Sequence, residues 1–228
     1  MAISRFFKPF VGTKYHEGIN GKRVLVLGAS FYCPNKNCQF FTQCTNVNSK
    51  DSSRCDSICP VYSSQAKVLH NEPSYSIDDA PQTYCVFARD VGHELFTNEV
   101  GYQDFWQRFA FTNYVQFFLP NVGKAFRETL PSDMSERDFK AFVETLQELQ
   151  PDIVIVWGTV INKPLINENP LVVSLEMLDK TEEYVCYMRV AGVKHDIALI
   201  NPYHPSSPRF WNAGFDKFMM YLKMLLGM

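Results

Sequence analysis

A histidine and an asparagine follow two apolar segments of this chain and could contact a ligand. His204 begins the sequence His-Pro-Ser shortly after the apolar residues 197–200, and Asn113 lies near the end of the apolar segment 109–115. In open α/β sheets, ligands bind outside the carboxyl ends of the strands, where both side chains are expected. An amide offers one acceptor and two donors in a plane, which suits an imide or lactam edge. Asn113 could instead end its strand through a local hydrogen bond of its own side chain, and His204 could do the same through a backbone hydrogen bond.

A glycine turn after the segment 23–28 supplies the third part of this predicted crevice. The apolar residues 24–27 are typical of a buried strand and end at Gly28-Ala29-Ser30, followed by Phe31 and Tyr32. A fourth apolar segment, 153–157, ends at Gly158. We therefore expect the backbone of residues 29–31, Asn113 and His204 to converge at one edge of a sheet.

These four segments resemble the signature motifs of the uracil-DNA glycosylase superfamily. The resemblance is carried by Gly28-Ala29-Ser30-Phe31-Tyr32, Thr112-Asn113-x-Val115, Trp157-Gly158-Thr159 and His204-Pro205-Ser206. It implies an enzyme of base-excision repair that takes a deaminated base, uracil or hypoxanthine, out of DNA and excises it. In such a site, Asn113 would pair with the base edge and His204 would stabilise the departing anion. The base pocket would be formed by Gly28, Ala29, Phe31, Tyr32, Asn113 and Gly158.

The first motif departs from the family at Ser30, which stands where the family places Asp, Asn or Glu. Ser30 is the third catalytic candidate, but a serine is not a general base at neutral pH without an activating neighbour. Either the chain takes its polar catalytic group from another position, or it is a degenerate relative that binds nucleobases, nucleic acid or protein without cleaving. Asp90 could supply the carboxylate that the first motif lacks, but a surface ion pair is the simpler interpretation of this residue.

The resemblance also implies a loop that inserts into DNA after His204. Its candidate residues are Ser206, Ser207, Arg209 and Phe210, with Arg209 for a phosphate and Phe210 as an apolar wedge. The alternative is that Phe210 and Trp211 anchor the last helix to the sheet.

Five of the seven cysteines lie in one polar segment, an apparent insertion at about residues 33–60. Cys33, Cys38, Cys44, Cys55 and Cys59 could hold a structural Zn²⁺ or an iron–sulfur cluster. The spacing contains no C-x2-C pair, so free thiols in a surface loop are the alternative. The proposed excision itself requires no cofactor. A metal-dependent hydrolase built on these cysteines lacks the His and carboxylate ligands of an open catalytic site.

The elements that must position these residues follow from hydrophobic periodicity. Strands are predicted at 23–28, 109–115, 153–158 and 197–200, with a hairpin at about 182–189 extending the sheet edge. Helices are predicted at 103–108, from Ser135 to Pro151, and at about 213–226. This alternation predicts a three-layer α/β/α sandwich around a mostly parallel sheet of about four strands.

Length and composition favour one domain over residues 1–228. The chain has 228 residues, 46% of them hydrophobic, which is sufficient for a large core. No secretory signal or apolar run of membrane-spanning length is visible, so we expect a cytoplasmic monomer without a membrane partner. A net charge of −2 excludes a strong overall attraction to phosphate. Contact with single-stranded or lesion-containing DNA must therefore come from a local patch.

Overall fold

The computed structural model describes residues 5, 7–33, 73, 78, 82–116, 118–120, 129, 133–179 and 182–228. Four of the candidate metal ligands, Cys38, Cys44, Cys55 and Cys59, lie outside the described residues.

Most strands of the described chain form one seven-stranded mixed sheet with the order β1-β4-β2-β6-β9-β8-β7. Two further short strands, β3 and β5, pair in parallel as a separate sheet. The strands, in chain order, are β1 Phe10–Val11, β2 Val24–Gly28, β3 Phe31–Cys33, β4 Phe109–Asn113, β5 Phe118–Pro120, β6 Ile153–Val156, β7 Val172–Asp179, β8 Glu182–Met188 and β9 Ile197–Ile200.

The four strands predicted from apolar segments form the parallel centre of this sheet. Strands β4, β2, β6 and β9 are consecutive neighbours and all run in the same direction. Every residue of these strands is buried, because the strands are covered on both faces. Continuous apolar sequence is what such a two-sided position requires.

The predicted size of the sheet is wrong, although the α/β class is confirmed. Strand β1 pairs antiparallel with β4 at one edge, and β8 pairs antiparallel with β9 at the other. Strand β7 then pairs antiparallel with β8, and the hairpin predicted within about 182–189 is instead the single strand β8, whose partner β7 precedes it. The sheet is therefore mixed, with a parallel centre and antiparallel edges.

Four α-helices of the described chain cover the two faces of the sheet. They are α1 Gln82–Leu95, α2 Tyr102–Trp106, α3 Glu136–Leu149 and α4 Phe215–Leu226, and π-helical turns form at Lys163–Asn167 and Phe210–Gly214. On one face, α1, α2 and α4 bury a large aromatic cluster against β2, β4 and β6. On the other face, α3 packs on the alternate residues of the same strands. The described helices and sheet thus form three layers.

The boundaries of α3 follow from its sequence. Asp138 is fully buried and accepts hydrogen bonds from the backbone N–H of Ser135 at 2.7 Å and from its hydroxyl at 2.9 Å. This satisfies a donor at the start of the helix, as the Ser-x-x-Asp spacing predicted. Gln150 takes a left-handed conformation and ends the helix before Pro151. Within the described ranges, no helix is both long enough and apolar enough to cross a bilayer.

Candidate functional site

The predicted site residues lie where the parallel strands end, at the carboxyl edge of the sheet. Gly28 and Asn113 are register partners at the ends of β2 and β4. On the other side of β2, the N–H of Trp157 donates to the carbonyl of Leu27 at 2.9 Å, just beyond β6. Strand β9 ends beside β6, with Ile200 opposite Ile155. All four motifs therefore reach the same edge.

The side chain of Asn113 lies over Gly28. A Cβ atom at position 28 would stand 2.2 Å from Asn113 Oδ1 and 3.2 Å from the ring of Phe111, so only glycine fits there. Asn113 is 3% exposed, and its amide makes no hydrogen bond with the residues that the structure describes. Asn113 therefore does not end its strand through a side-chain hydrogen bond of its own.

His204 lies over Gly158 in a similar way. Gly158 has a φ of +91°, which glycine adopts without strain, and a Cβ atom there would meet His204 Cβ at 3.4 Å. The N–H of Gly158 donates to the carbonyl of Pro202 at 3.1 Å, which ties this turn to the chain leading into His204.

Asn113 and His204 thus contact glycines that follow neighbouring strands. The side chains start from β4 and from beyond β9, which are three strand spacings apart. Each contacts a glycine at the end of an inner strand, Gly28 in β2 and Gly158 beyond β6, and these two strands are about 5 Å apart.

The hydrogen bonds of His204 define its tautomer. Nδ1 accepts from the backbone N–H of Ser206 at 3.1 Å and lies 2.7 Å from the Ser206 hydroxyl. Because Nδ1 accepts, the neutral ring carries its proton on Nε2. Burial disfavours the charged ring and lowers the pKa of His204 from 6.5 to about 4. Trp157 contacts the ring edge-to-face at 5.8 Å between centroids. At neutral pH, His204 is a neutral N–H donor.

Ser30 is paired with a residue that the sequence did not single out. Its Oγ lies 2.6 Å from Oγ1 of Thr129, which is 6% exposed. The carboxylate considered at Asp90 lies on α1 and pairs with Arg89 at 2.6 Å, which confirms the surface ion pair. Neither the Ser30–Thr129 pair nor Asp90 supplies the missing acid of the first motif.

The other candidates for the base pocket lie at and just beyond the end of β2. Ala29 accepts a hydrogen bond from the N–H of Val115 at 2.9 Å, so its backbone joins two of the motifs. Phe31 is 4% exposed and contacts the ring of Phe7 at 4.6 Å between centroids. The backbone of Tyr32 pairs with Leu119 in the small sheet.

The structure corrects the predicted DNA wedge at Phe210. This ring is fully buried and packs against Phe218 at 5.6 Å and Trp211 at 4.5 Å. It anchors the last helix and cannot fill a vacated stack from that position. Of the other wedge candidates, Ser206 and Arg209 are exposed and Ser207 is partly exposed.

Asn201 is a site residue that sequence reasoning missed. It follows β9 directly, is 6% exposed, and donates from Nδ2 to the carbonyls of Val156 at 3.0 Å and Gly158 at 2.7 Å. Its position between an apolar strand and Pro202 was a usable signal, because an amide immediately after a buried strand needs partners. Thr129 had no comparable signal.

The metal prediction stays open. The backbone of Cys33 belongs to β3, and the other four candidate cysteines lie outside the described residues. Among the residues that are described, no three His, Cys, Asp or Glu side chains come together as metal ligands.

The opposite, amino edge of the sheet carries a different polar cluster. Asp152 accepts from the backbone N–H of Arg23 at 2.8 Å, and its Oδ1 lies 3.5 Å from Nε2 of His195. His195 also contacts the carbonyl of Pro151 at 3.0 Å. A groove of about 460 Å³ here is bordered by Lys22, Asp152 and His195. The Asp152 and His195 side chains on its wall already have protein partners.

Comparison of the sequence with models of known protein families gives no match. A search among curated proteins also finds no relative.

Proposed function

We propose that this protein is a DNA glycosylase that binds an extruded deaminated base, uracil or hypoxanthine, and hydrolyses its glycosidic bond. The observation that carries the proposal is the position of Asn113 and His204 over two glycines at the ends of the inner strands, Gly28 in β2 and Gly158 beyond β6. The small glycines let the amide and the neutral imidazole lie close to the backbone at this edge, where a planar ligand would bind between them.

Asn113 would read the edge of the base. Its amide is nearly buried, and no described residue bonds to it. A base edge with complementary donors and acceptors would pair with this largely desolvated amide. Ligand binding is thus a physical reason for this arrangement.

His204 would stabilise the leaving group. As the C–N bond breaks, its electron pair moves to the base, which leaves as an anion while positive charge develops on the sugar. The Nε2–H of the neutral ring would donate a hydrogen bond to this anion, and the low pKa of His204 keeps the ring neutral. Water then adds to the sugar carbon, its proton passes to solvent, and the base takes up a proton.

Ser30 would contribute only weakly to this reaction. A Ser30–Thr129 hydroxyl pair can orient a water molecule but supplies neither a negative charge for the sugar cation nor a strong base. We therefore expect slow excision, and we expect Ser30→Asp to accelerate it if the geometry follows the family.

The domain, the oligomeric state, the location and the nucleic-acid partner are part of the same proposal. The three layers and the parallel centre would be a uracil-DNA glycosylase-like domain over residues 1–228, acting as a monomer in the cytoplasm on single-stranded or lesion-containing DNA. The exposed Arg209 and Ser206 would approach phosphates beside His204. Excision would need no cofactor, and the cysteines would hold zinc or an iron–sulfur cluster in a structural role only.

A second candidate is a degenerate relative that binds nucleobases, nucleic acid or protein without cleaving. The observation that favours it is the hydroxyl pair at Ser30, which replaces the acid expected in a fast enzyme. The two candidates share a pocket and differ in chemistry.

Single-turnover release of free base separates the two candidates. Labelled single-stranded and mismatched oligonucleotides containing uracil or hypoxanthine are incubated with the full-length protein in excess. We expect slow release from at least one substrate and a faster rate with Ser30→Asp. Retained binding without release from any substrate would replace the enzyme with the binding protein.

A further inference from the structure

The amide of Asn201 spans the ends of two central strands. The regular pairing of β6 with β9 ends at Ile155 and Ile200. Beyond this point, Asn201 continues the connection through its side chain, with Nδ2 bonded to the carbonyls of Val156 and Gly158 at 3.0 and 2.7 Å. Both amide hydrogens are therefore used to join the two chain segments.

This connection converges on the glycine that contacts His204. The Gly158 carbonyl is held by Asn201, and the Gly158 N–H is held by the carbonyl of Pro202 at 3.1 Å. The peptides on both sides of Gly158 are thus fixed to the segment that leads into His204. A Cβ atom at Gly158 would lie 3.4 Å from His204 Cβ, so a shift in either segment changes the position of the imidazole.

We propose that Asn201 is a positioning residue that fixes the imidazole of His204 through Gly158. Asn201 does not touch the reacting atoms, and its importance for excision rests on the proposed function. Its effect on the imidazole is independent of the proposed function, because the burial and the tautomer of the ring can be measured without a substrate. Loss of the amide should free the Gly158 turn, admit water to His204 and weaken control of its orientation.

Asn169 provides a matched control in the same molecule. It is also a buried asparagine, 7% exposed, and its Nδ2 donates to the carbonyl of Leu165 at 3.0 Å. Its Oδ1 accepts from the N–H of Leu171 at 2.9 Å, and none of these partners belongs to the carboxyl edge of the parallel strands. Asn169→Ala therefore reports the general effect of removing a buried amide.

The test is a pH titration of the imidazole nitrogens by nuclear magnetic resonance, with His204→Gln identifying the signal. In the unmodified protein, the His204 midpoint should lie near 4, where burial holds its pKa. In Asn201→Ala, the midpoint should rise by about one unit or more as the ring gains water. Asn201→Ser retains one donor, should give an intermediate midpoint, and serves if the alanine variant does not fold. The midpoint in Asn169→Ala should stay unchanged.

Base release adds an independent measurement. Asn201→Ala should slow single-turnover release by about tenfold while oligonucleotide binding stays the same, because orientation rather than affinity is lost. If the midpoints in both Asn201 variants match that in Asn169→Ala, the positioning role is wrong. If the unmodified protein releases no base, the proposed function fails while the titration still decides the role of Asn201.

Discussion

The two edges of the central sheet treat polar side chains in opposite ways. At the amino edge, Asp152 is held by the backbone of Arg23 and by His195, which also contacts a backbone carbonyl. At the carboxyl edge, Asn113 lacks a partner among the described residues, and His204 is held only through Nδ1. The polar groups at the amino edge therefore join segments of the protein, as Asn201 also does at the carboxyl edge, whereas Asn113 has no hydrogen-bonded side-chain partner among the described residues. The charged cluster lies at the amino edge, and the proposed site lies at the carboxyl edge.

Replacing the histidine at each edge should give the largest contrast. His204→Ala removes the Nε2–H that would face the leaving group in the proposed reaction, and we expect base release to slow by about a hundredfold or more. His195→Ala removes a contact with the Pro151 carbonyl at 3.0 Å and should leave the rate unchanged. Single-turnover release measures both variants. Equal rates for the two would contradict the assignment of function to the carboxyl edge.

The partly buried imidazole of His204 also makes stability depend on pH. Its pKa is lowered from 6.5 to about 4, so between these values the unfolded chain binds a proton that the folded chain does not. The free energy of unfolding should therefore fall as the pH decreases from 6.5 to 4 and level off below, by up to about 3 kcal/mol.

Urea unfolding of the unmodified protein and of His204→Gln at several pH values isolates this contribution, since titrating carboxylates affect both proteins. The difference between the two proteins should disappear if His204 is solvated in the folded state.

Asp152→Ala should have the opposite pattern to His204→Ala, with a loss of stability and no loss of base release. It removes the carboxylate that accepts the Arg23 N–H at 2.8 Å and faces His195, and we expect about 1–3 kcal/mol less stability. Base release measured on the folded fraction should be unchanged. A loss of release without a loss of stability would place function at the amino edge instead.

A smaller contrast is expected from two glycines. Gly28→Ala puts a Cβ atom 2.2 Å from Asn113 Oδ1, and displacing this amide should reduce base release by about tenfold. Gly21→Ala, in the turn before β2, meets no atom within 4 Å but has a φ of +75°. It should cost about 1 kcal/mol of stability and leave release intact. Base release and thermal unfolding of both variants test whether the position of the Asn113 amide over Gly28 is needed for base release.

The sequence predicted the parallel centre of the sheet because burial on both faces leaves a continuous apolar segment. Residues 153–156 and 197–200 are such segments, and both form strands. The antiparallel edges were harder to predict. Strand β1 has only two residues, and β7 mixes polar and apolar residues with interrupted register. Helix α1 was not predicted, and its first turn carries no acidic residue that would mark the start of a helix.

Candidate site residues could be predicted only where a polar residue stands at the end of an apolar strand. His204 and Asn113 are such residues, because ligands of open α/β sheets bind at the carboxyl ends of the strands. The Ser30–Thr129 contact joins residues 99 positions apart and has no local signature. Phe210 could not be assigned either, because an aromatic residue after His204 suits both a wedge and a core. Its burial against Phe218 depends on tertiary packing, which the local sequence does not indicate.

The irregular pairing of β7 has a consequence for self-association of the chain. This eight-residue strand is the last strand at one side of the sheet that the described residues form, and its register with β8 shifts at three places. Such shifts bend a strand and break the even row of N–H and C=O groups that a second molecule would need for pairing along its whole length. The irregular strand therefore protects the protein against strand-by-strand aggregation. Substitutions that straighten β7 are the changes most apt to convert the folded protein into fibrils.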